Sequence, residues 1–467
     1  MLTKRDDGKH HSPSHSAWHT RLHGTALVAV LGLLFLLVIK IEFRNPDANI
    51  AFYGYGVTVT ATILVIMTVS FGFYRDPALT ARAMHPELLQ PDQSNLPLVT
   101  YIVAVHNEEG LVHQCIESMA AQTYPNAEII VVDDASTDNT LAILQQLATR
   151  YPFRLLALPT NRGKKGALCA GLLLAHGSII AFADSDTVWA PDAVDRVVPI
   201  FLADQNIGAV SGHCRALNGD TNFLTKIQDS WYEGQFSVRK AFESVFRSVS
   251  CVSGPLAFFR LSAIYNFLPA WEADTFLGQE FRFATDRTLT AYVLGGSYLA
   301  PRVLPEHSAS PFSSPSYPAR DWGIVYSKSA RAWTNVPSTF EGLVKQQVRW
   351  KKSFIRNVFV TGRFYWRRPL LPALLYYLHV AFVLFGPFVA ARHLIYMPLR
   401  GDPMSLVLYL AGISLIGLSF GLAFRYENPG SLRWLYRPMM NLMSTLLFSW
   451  LLFYAAATIR NMRWSRG

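Results

Sequence analysis

The sequence predicts an α/β domain on a mostly parallel, Rossmann-like sheet, joined to an α-helical transmembrane part. Three observations carry this. Short apolar runs alternate with amphipathic stretches between residues 98 and 183. Each of those runs ends in a polar cluster. Long apolar stretches lie on both sides of a central block of about 290 residues, far too many for a loop.

Leu98–Val105 is the first strand, and it ends in His106-Asn107-Glu108-Glu109-Gly110. Residues 111–122 carry a helical pattern. Glu128–Val132 is the second strand, ending in Asp133-Asp134-Ala135-Ser136-Thr137-Asp138, and Leu141–Thr149 is helical again. Leu155–Leu158 is a third strand, followed by Asn161-Arg162-Gly163-Lys164-Lys165-Gly166 and a helix over Ala167–Ala175. Ile179–Ala183 is a fourth strand, ending at Asp184. Apolar strands that alternate with helices pair in parallel and are covered on both faces. Ligands of such sheets sit beyond the carboxyl ends of the strands, where all these polar clusters fall.

Apolar residues make up 51% of the 467 and charged residues 16%, a membrane-like balance. Crossing a hydrocarbon core takes about 20 helical residues, and the candidates are Thr25–Ile41, Ala51–Phe73, Leu371–Ala390, Leu406–Phe424 and Met439–Ile459. The expected organisation begins with a basic cytoplasmic tail over residues 1–24 and two transmembrane helices over 25–74. The α/β domain follows over 95–340 and an amphipathic interface region over 341–368. About three transmembrane helices over 369–460 and a tail over 461–467 complete the chain.

The net charge of +10 fits the positive-inside rule. That rule places the central domain in the cytosol, in a multi-pass protein of the plasma (inner) membrane. The same number of crossings leaves Arg460, Arg463 and Arg466 outside, against the rule. Either one crossing is interfacial or re-entrant, or the rule is overridden there. The basic residues form no compact patch around a nucleic-acid module, so no nucleic-acid partner is expected. Cys115, Cys169, Cys214 and Cys251 form no C-x-x-C pair and read as reduced cytosolic thiols.

Several clusters can carry chemistry. In Asp184-Ser185-Asp186, alternate residues leaving a strand can both reach one hard cation, with a nucleotide diphosphate completing its shell. The alternative is a solvated turn. Asp133 and Asp134 can accept hydrogen bonds from a base N–H and ribose hydroxyls, beside helix capping by Ser136 or Asp138. Lys164 and Lys165, ahead of a helix, offer an anion site whose spacing is not that of a Walker A loop; the alternative is a plain basic turn. In Thr285-Asp286-Arg287, Asp286 is the candidate general base, kept ionised by Arg287, or else half of a structural ion pair. Ser253-Gly254-Pro255-Leu256 reads as a tight turn. On a helix, Gln346, Arg349 and Trp350 share one face, while Lys345, Lys351, Lys352 and Arg356 suit anchoring at a membrane interface.

The set Val132–Asp138, Asp184-Ser185-Asp186, Thr285-Asp286-Arg287 and Gln346-Gln347-Val348-Arg349-Trp350 resembles the family 2 processive β-glycosyltransferases, which include hyaluronan, chitin and cellulose synthases. The likeness spans residues 97–365 with the motifs in order. Asp184–Val188, Cys251–Leu256 and Gln346–Phe354 resemble hyaluronan synthases and chitin-oligosaccharide synthases most. The resemblance implies a GT-A fold, UDP-sugar donors, a Mg2+ or Mn2+ ion on Asp184 and Asp186, and an inverting displacement with Asp286 as base. It also implies that Asp133 and Asp134 hold the uridine, with Lys164 and Lys165 near the nucleotide. Gln346, Arg349 and Trp350 would serve catalysis, with Arg349 on the diphosphate. Trp350, Ser253, Gly254 and Pro255 would lie at the acceptor. Two features depart from the pattern: Thr285 stands where a second acid often precedes the base, and residues 302–326 form a Ser/Pro-rich insertion.

The expected function is a membrane-embedded processive transferase that polymerises UDP-sugars and exports the chain through the bilayer, a GlcNAc-containing, hyaluronan-like product being favoured. The growing polysaccharide and the lipid are then its partners. The alternatives are a chitin-oligosaccharide or cellulose-like synthase, a non-processive transferase onto a lipid carrier, and a transporter with an inactive catalytic domain.

Overall fold

The computed structural model describes residues 32–36, 50–85, 96–317 and 319–461. The expected first crossing, apart from 32–36, and both chain ends fall outside them. Eight strands form one sheet: β1 (Val99–Val105), β2 (Ala127–Asp133), β3 (Arg154–Ala157), β4 (Ile179–Ala183), β5 (Thr187–Trp189), β6 (Ile207–Ala216), β7 (Ala257–Arg260) and β10 (Gly323–Thr334). Their order is β3-β2-β1-β4-β7-β6-β10-β5. A separate two-stranded ribbon pairs β8 (Thr275–Phe276) with β9 (Gln279–Glu280).

The first four strands pair in parallel, as their unbroken apolar character requires. Their side chains alternate between two cores. Ile102, Ile130 and Val132 enter one with Trp271; Tyr101, Val103 and Val131 enter the other with Trp189. The register Val105↔Asp133 and Val103↔Ala183 brings the ends of β1, β2 and β4 to one rim. β7 runs against its neighbours β4 and β6. An antiparallel strand begins where its neighbour ends. The turn Ser253-Gly254-Pro255 ahead of β7 therefore meets Asp184 at the end of β4.

Nine helices matter for the site and its surroundings: α1 (Ile50–Phe73), α2 (Gly163–Leu172), α3 (Phe223–Gly234), α4 (Thr285–Leu294), α5 (Phe340–Thr361), α6 (Leu370–Ala391), α7 (Pro403–Glu427), α8 (Arg437–Met443) and α9 (Leu451–Ala457). Thr339 caps α5 by accepting a hydrogen bond from the Gly342 N–H at 3.1 Å. A 3-10 turn over Tyr365–Arg367 then leads into α6. Among the described residues, three helical rods are long and apolar enough to cross a membrane: Phe52–Met84, Leu370–Leu399 and Pro403–Glu427. Leu384, Phe385 and Phe388 stand exposed on the second, as a lipid-facing surface requires. The last expected span is not one straight helix, because Arg433–Phe448 and Leu451–Ala457 meet at 48°.

The Ser/Pro-rich insertion is packed onto the domain. Asn266 donates to the Ser314 and Tyr317 carbonyls at 2.9 and 2.7 Å and accepts from the Ser314 N–H at 2.8 Å. Phe312 is buried edge-on against Tyr265.

Candidate active site

The uridine candidates sit where β2 ends. Asp133 is buried; its Oδ2 accepts from the Ser136 N–H at 3.1 Å, while its Oδ1 has no partner among the described residues. A buried acceptor without a donor suits a ligand N–H or O–H. Asp134 is also buried, but its Oδ1 already accepts from the Arg162 N–H at 2.7 Å. Asp134 therefore clamps the loop ahead of α2.

The two lysines were expected in that loop, facing one ligand. The helix instead begins at Gly163, whose φ of +73° a side chain rarely adopts. Successive helical residues point about 100° apart, so the lysines diverge. Lys164 forms an ion pair with Asp184. Lys165 is buried, donating to Asp274 Oδ2 at 2.8 Å and to the Phe281 carbonyl at 2.9 Å. Arg356 of α5 pairs with the other Asp274 oxygen. Lys165 thus ties α2 to α5 and does not point at Asp184.

Asp184 leaves β4 half-buried, with Gly254 against its carboxylate. Asp186 follows two residues on and accepts from the Thr334 hydroxyl at 3.1 Å. Burial and the neighbouring Asp184 push the Asp186 carboxyl up to about 6. Two adjacent carboxylates, one of them raised by burial and by its neighbour, are a donor set that a divalent cation would relieve. Among the described residues no cluster of three or more His, Cys, Asp or Glu is suited to a metal, so an ion here would take its further ligands from substrate or water.

Asp286 opens α4 behind Ala284, whose φ is +57°. Its Oδ1 accepts from the Arg287 N–H at 3.0 Å and its Oδ2 from the Cys251 thiol at 3.4 Å. Lys164 pairs with Asp184 and also feels the charges of Asp286 and Asp186. Burial opposes the charge on that ammonium, but Asp184 above all, then Asp286 and Asp186, raise its pKa. Arg349 joins the same group. Burial lowers its pKa, and Tyr232, Asp184 and Asp186 oppose that effect.

Trp350 stacks on Trp231 at 5.3 Å between ring centroids and 23° between planes, with Tyr232 at 6.5 Å. Gln346 is buried and its Oε1 has no partner among the described residues. Ser253 accepts from the buried Lys240 ammonium at 2.6 Å, which also donates to Ser211 at 2.7 Å. The arrangement offers carboxylates, a guanidinium, an ammonium and an aromatic platform at the carboxyl ends of the strands and the helix that follows. It is suited to moving a group between a charged leaving group and a hydroxyl.

Comparison with known proteins agrees. Residues 100–268 match the glycosyl transferase family 2 domain. This chain is a glycosyltransferase. The glycosyltransferase is 27% identical over 450 residues to a hyaluronan synthase of Streptococcus pyogenes serotype M6, covering 93% of this chain and 96% of that one. It is 30% identical over 269 residues to an N-acetylglucosaminyltransferase of Rhizobium meliloti, covering 57% of each. Its fold is shared with the mannosyltransferase PcManGT of Pyrobaculum calidifontis, a structure in complex with GDP-Man and Mn2+: the TM-score is 0.51 and the identity 21%, covering 86% of this chain and 99% of that one. The glycosyltransferase thus has a GT-A domain together with an apolar helical part.

Four participants escaped the sequence reading: Trp231, Tyr232, Lys240 and Asp274. Trp231 and Tyr232 lie on a polar-looking amphipathic helix, and nothing local says that Trp350 will meet them. Asp274 stands in a loop with no motif around it. Tyr376 packs on Tyr365 at 4.4 Å between ring centroids.

Proposed function

We propose that this glycosyltransferase is a membrane-embedded, processive, inverting polymerase of UDP-sugars that passes its product through the apolar helices, with a GlcNAc-containing, hyaluronan-like polymer favoured. The observation that carries the reading is the placing of Asp184 and Asp186 at the end of β4, with Asp184 held by Lys164 and faced by the Gly254 turn, together with the Trp350 platform on a helix that leads into an apolar rod. A non-processive enzyme needs the nucleotide group but has no use for an aromatic platform on the helix that runs into an apolar rod. The similarity to hyaluronan synthase over nearly the whole chain, apolar helices included, points the same way.

In this reading Asp133 holds the uracil N–H on its unpartnered oxygen, and Asp134 keeps the Arg162 loop closed over the nucleotide. Arg349 binds the diphosphate. Asp184 and Asp186 hold a Mg2+ or Mn2+ ion, which when bound offsets the charge on the leaving diphosphate. Lys164 holds the Asp184 carboxylate in place. Trp350 and the Ser253-Gly254-Pro255 turn seat the terminal sugar of the acceptor. Its hydroxyl oxygen bonds to the anomeric carbon as the bond to the diphosphate breaks, the proton passes to Asp286, and UDP departs. The Arg287 N–H, donating to Asp286 Oδ1, holds that carboxylate in position.

The test supplies membranes carrying the protein with UDP-GlcNAc, with and without UDP-GlcA, and measures UDP release and polymer length. Long polymer formed only with both donors supports the hyaluronan-like reading. Full activity on UDP-GlcNAc alone replaces it with a chitin-type product, and short products in every case remove processivity.

A further inference from the structure

The helix that carries Trp231 is held by charges that the mechanism does not use. Asp229 and Glu233 stand four residues apart on α3 and share one face, while Trp231, about 200° around the helix from Asp229, stacks on Trp350. Glu233 meets His213 and Arg215 of β6 at 3.5 and 3.7 Å. Asp229 is fully buried. Its Oδ1 accepts from the Ala216 N–H at 3.1 Å and from Arg215 Nε at 3.2 Å, and its Oδ2 from Arg215 Nη2 at 2.6 Å. Arg433 pairs with the same Oδ2. Arg215 and Ala216 end β6, whereas Arg433 lies in the connector 428–436 between α7 and α8, in the apolar helical part.

Other contacts fix the same connector to the catalytic domain. Arg215 Nη1 donates to Asn428 Oδ1 at 3.0 Å. Glu427, at the end of α7, pairs with Lys328 of β10. Tyr436 meets Phe223, at the start of α3, edge-on at 5.5 Å between ring centroids. Met440 of α8 shares a buried cluster with Ile227 of α3 and Leu343 of α5, and Trp231 packs against that cluster. Burying a carboxylate is costly unless it is paired, so Asp229 holds both guanidinium groups to itself. Arg433 also reaches Asp220 at 2.5 Å, but that side chain is 82% exposed and its pull is screened by water.

A tie that served only to attach the apolar helices could end anywhere on the domain. This one ends two residues from the ring that lies against Trp350. Resting on the polymerase reading above, we infer that Arg433 is a positioning residue for the acceptor, acting through Asp229. The Arg433–Asp229–Arg215 bridge sets α3 in register with the connector between α7 and α8, and so holds the Trp231 ring where it keeps Trp350 in place for the acceptor sugar. Loss of the bridge then acts on acceptor binding and chain length, and leaves donor binding as it was.

The purified protein in phosphatidylcholine nanodiscs is given UDP-GlcNAc and a GlcNAc-containing tetrasaccharide, and UDP release gives the donor KM, the acceptor KM and kcat. Arg433→Gln should raise the acceptor KM by about ten-fold, the scale of a hydrogen bond between charged groups, and shorten the product, while the donor KM and the kcat at saturating acceptor hold. Arg433→Lys keeps the charge and should keep most of the acceptor affinity. In a Trp231→Ala background Arg433→Gln should no longer move the acceptor KM, because residues that act through one another are not additive, whereas a general loss of structure would act in both backgrounds. An acceptor KM unmoved by Arg433→Gln, a donor KM that rises with it, or the same rise in both backgrounds overturns the inference and leaves the polymerase reading intact. Thermal unfolding checks each variant. If Arg433→Gln does not fold, Asn428→Ala, which removes only the Arg215 contact to the connector, is measured in its place, and an unmoved acceptor KM there overturns the inference. No acceptor-dependent UDP release from the wild-type protein overturns the polymerase reading and the inference with it.

Discussion

Replacing Gly254 by alanine would put a methyl carbon 2.8 Å from Asp184 Oδ1 and 2.9 Å from Oδ2. Ordinary contact begins near 3.4 Å, so one of the two groups must retreat by roughly half an ångström. The glycine is held by the short turn into β7, whose ladder to β4 begins at Ala257. The carboxylate is held by Lys164. The side chain is the softer of the two, so Asp184 moves. Metal-ligand distances tolerate about 0.2 Å, and misplacing a reacting group by about 1 Å costs on the order of 100-fold in rate. Gly254→Ala should therefore lower kcat by roughly ten-fold or more and raise the metal concentration needed for half activity, at little cost in stability. The assay is UDP release across a Mn2+ titration, with thermal unfolding as the control. A folded Gly254→Ala protein with the wild-type metal titration and rate would refute the placement of Asp184 in the chemistry.

Asp286→Asn should lower kcat by about 100-fold or more with little change in the donor KM, as removal of a general base does; an unchanged turnover of UDP-sugar would remove Asp286 from that role. Trp350→Ala should raise the acceptor KM and shorten the polymer, by roughly 1 kcal/mol for a lost ring stack, while Trp350→Phe retains most of the length; product sizing on a gel distinguishes them. Asp274→Ala leaves Lys165 and Arg356 buried beside each other without their shared counter-charge and should cost about 3–5 kcal/mol, read by denaturant unfolding of the detergent-solubilised protein. Glu233 is buried between His213 at 3.5 Å and Arg215 at 3.7 Å. Burial works against its charge, but His213, Ser237 and Arg215 together hold its carboxyl well below the usual range. A depressed carboxyl stabilises the fold above the unfolded value of about 4.3, and that contribution fades as the pH falls below it. Glu233→Gln should thus lower the Tm at pH 7, with the gap to wild type closing toward acid; a gap independent of pH would contradict this.

The strands of the parallel half were legible because apolar runs of four to eight residues bounded by polar clusters admit few other structures. The Gln346–Trp350 face was legible because helical spacing alone sets which residues share a side. Where readings departed from the structure, a local signal was overruled by its surroundings. The start of α2 moved forward to Gly163, since one residue's φ decides where a helix begins, and that shift of a few residues separated Lys165 from Lys164. The antiparallel course of β7, which carries Gly254 to Asp184, has no mark in its apolar pattern, because pairing direction depends on connections elsewhere in the chain. By itself the sequence determined the alternation of strand and helix, the rim on which the acids fall and the apolar rods beyond. Which acid pairs with Lys164 and which aromatic ring lies under Trp350 were settled only by tertiary packing. The physical reason is range: backbone periodicity acts over a few residues, while charge and ring contacts act between surfaces that the chain brings together only after it has folded.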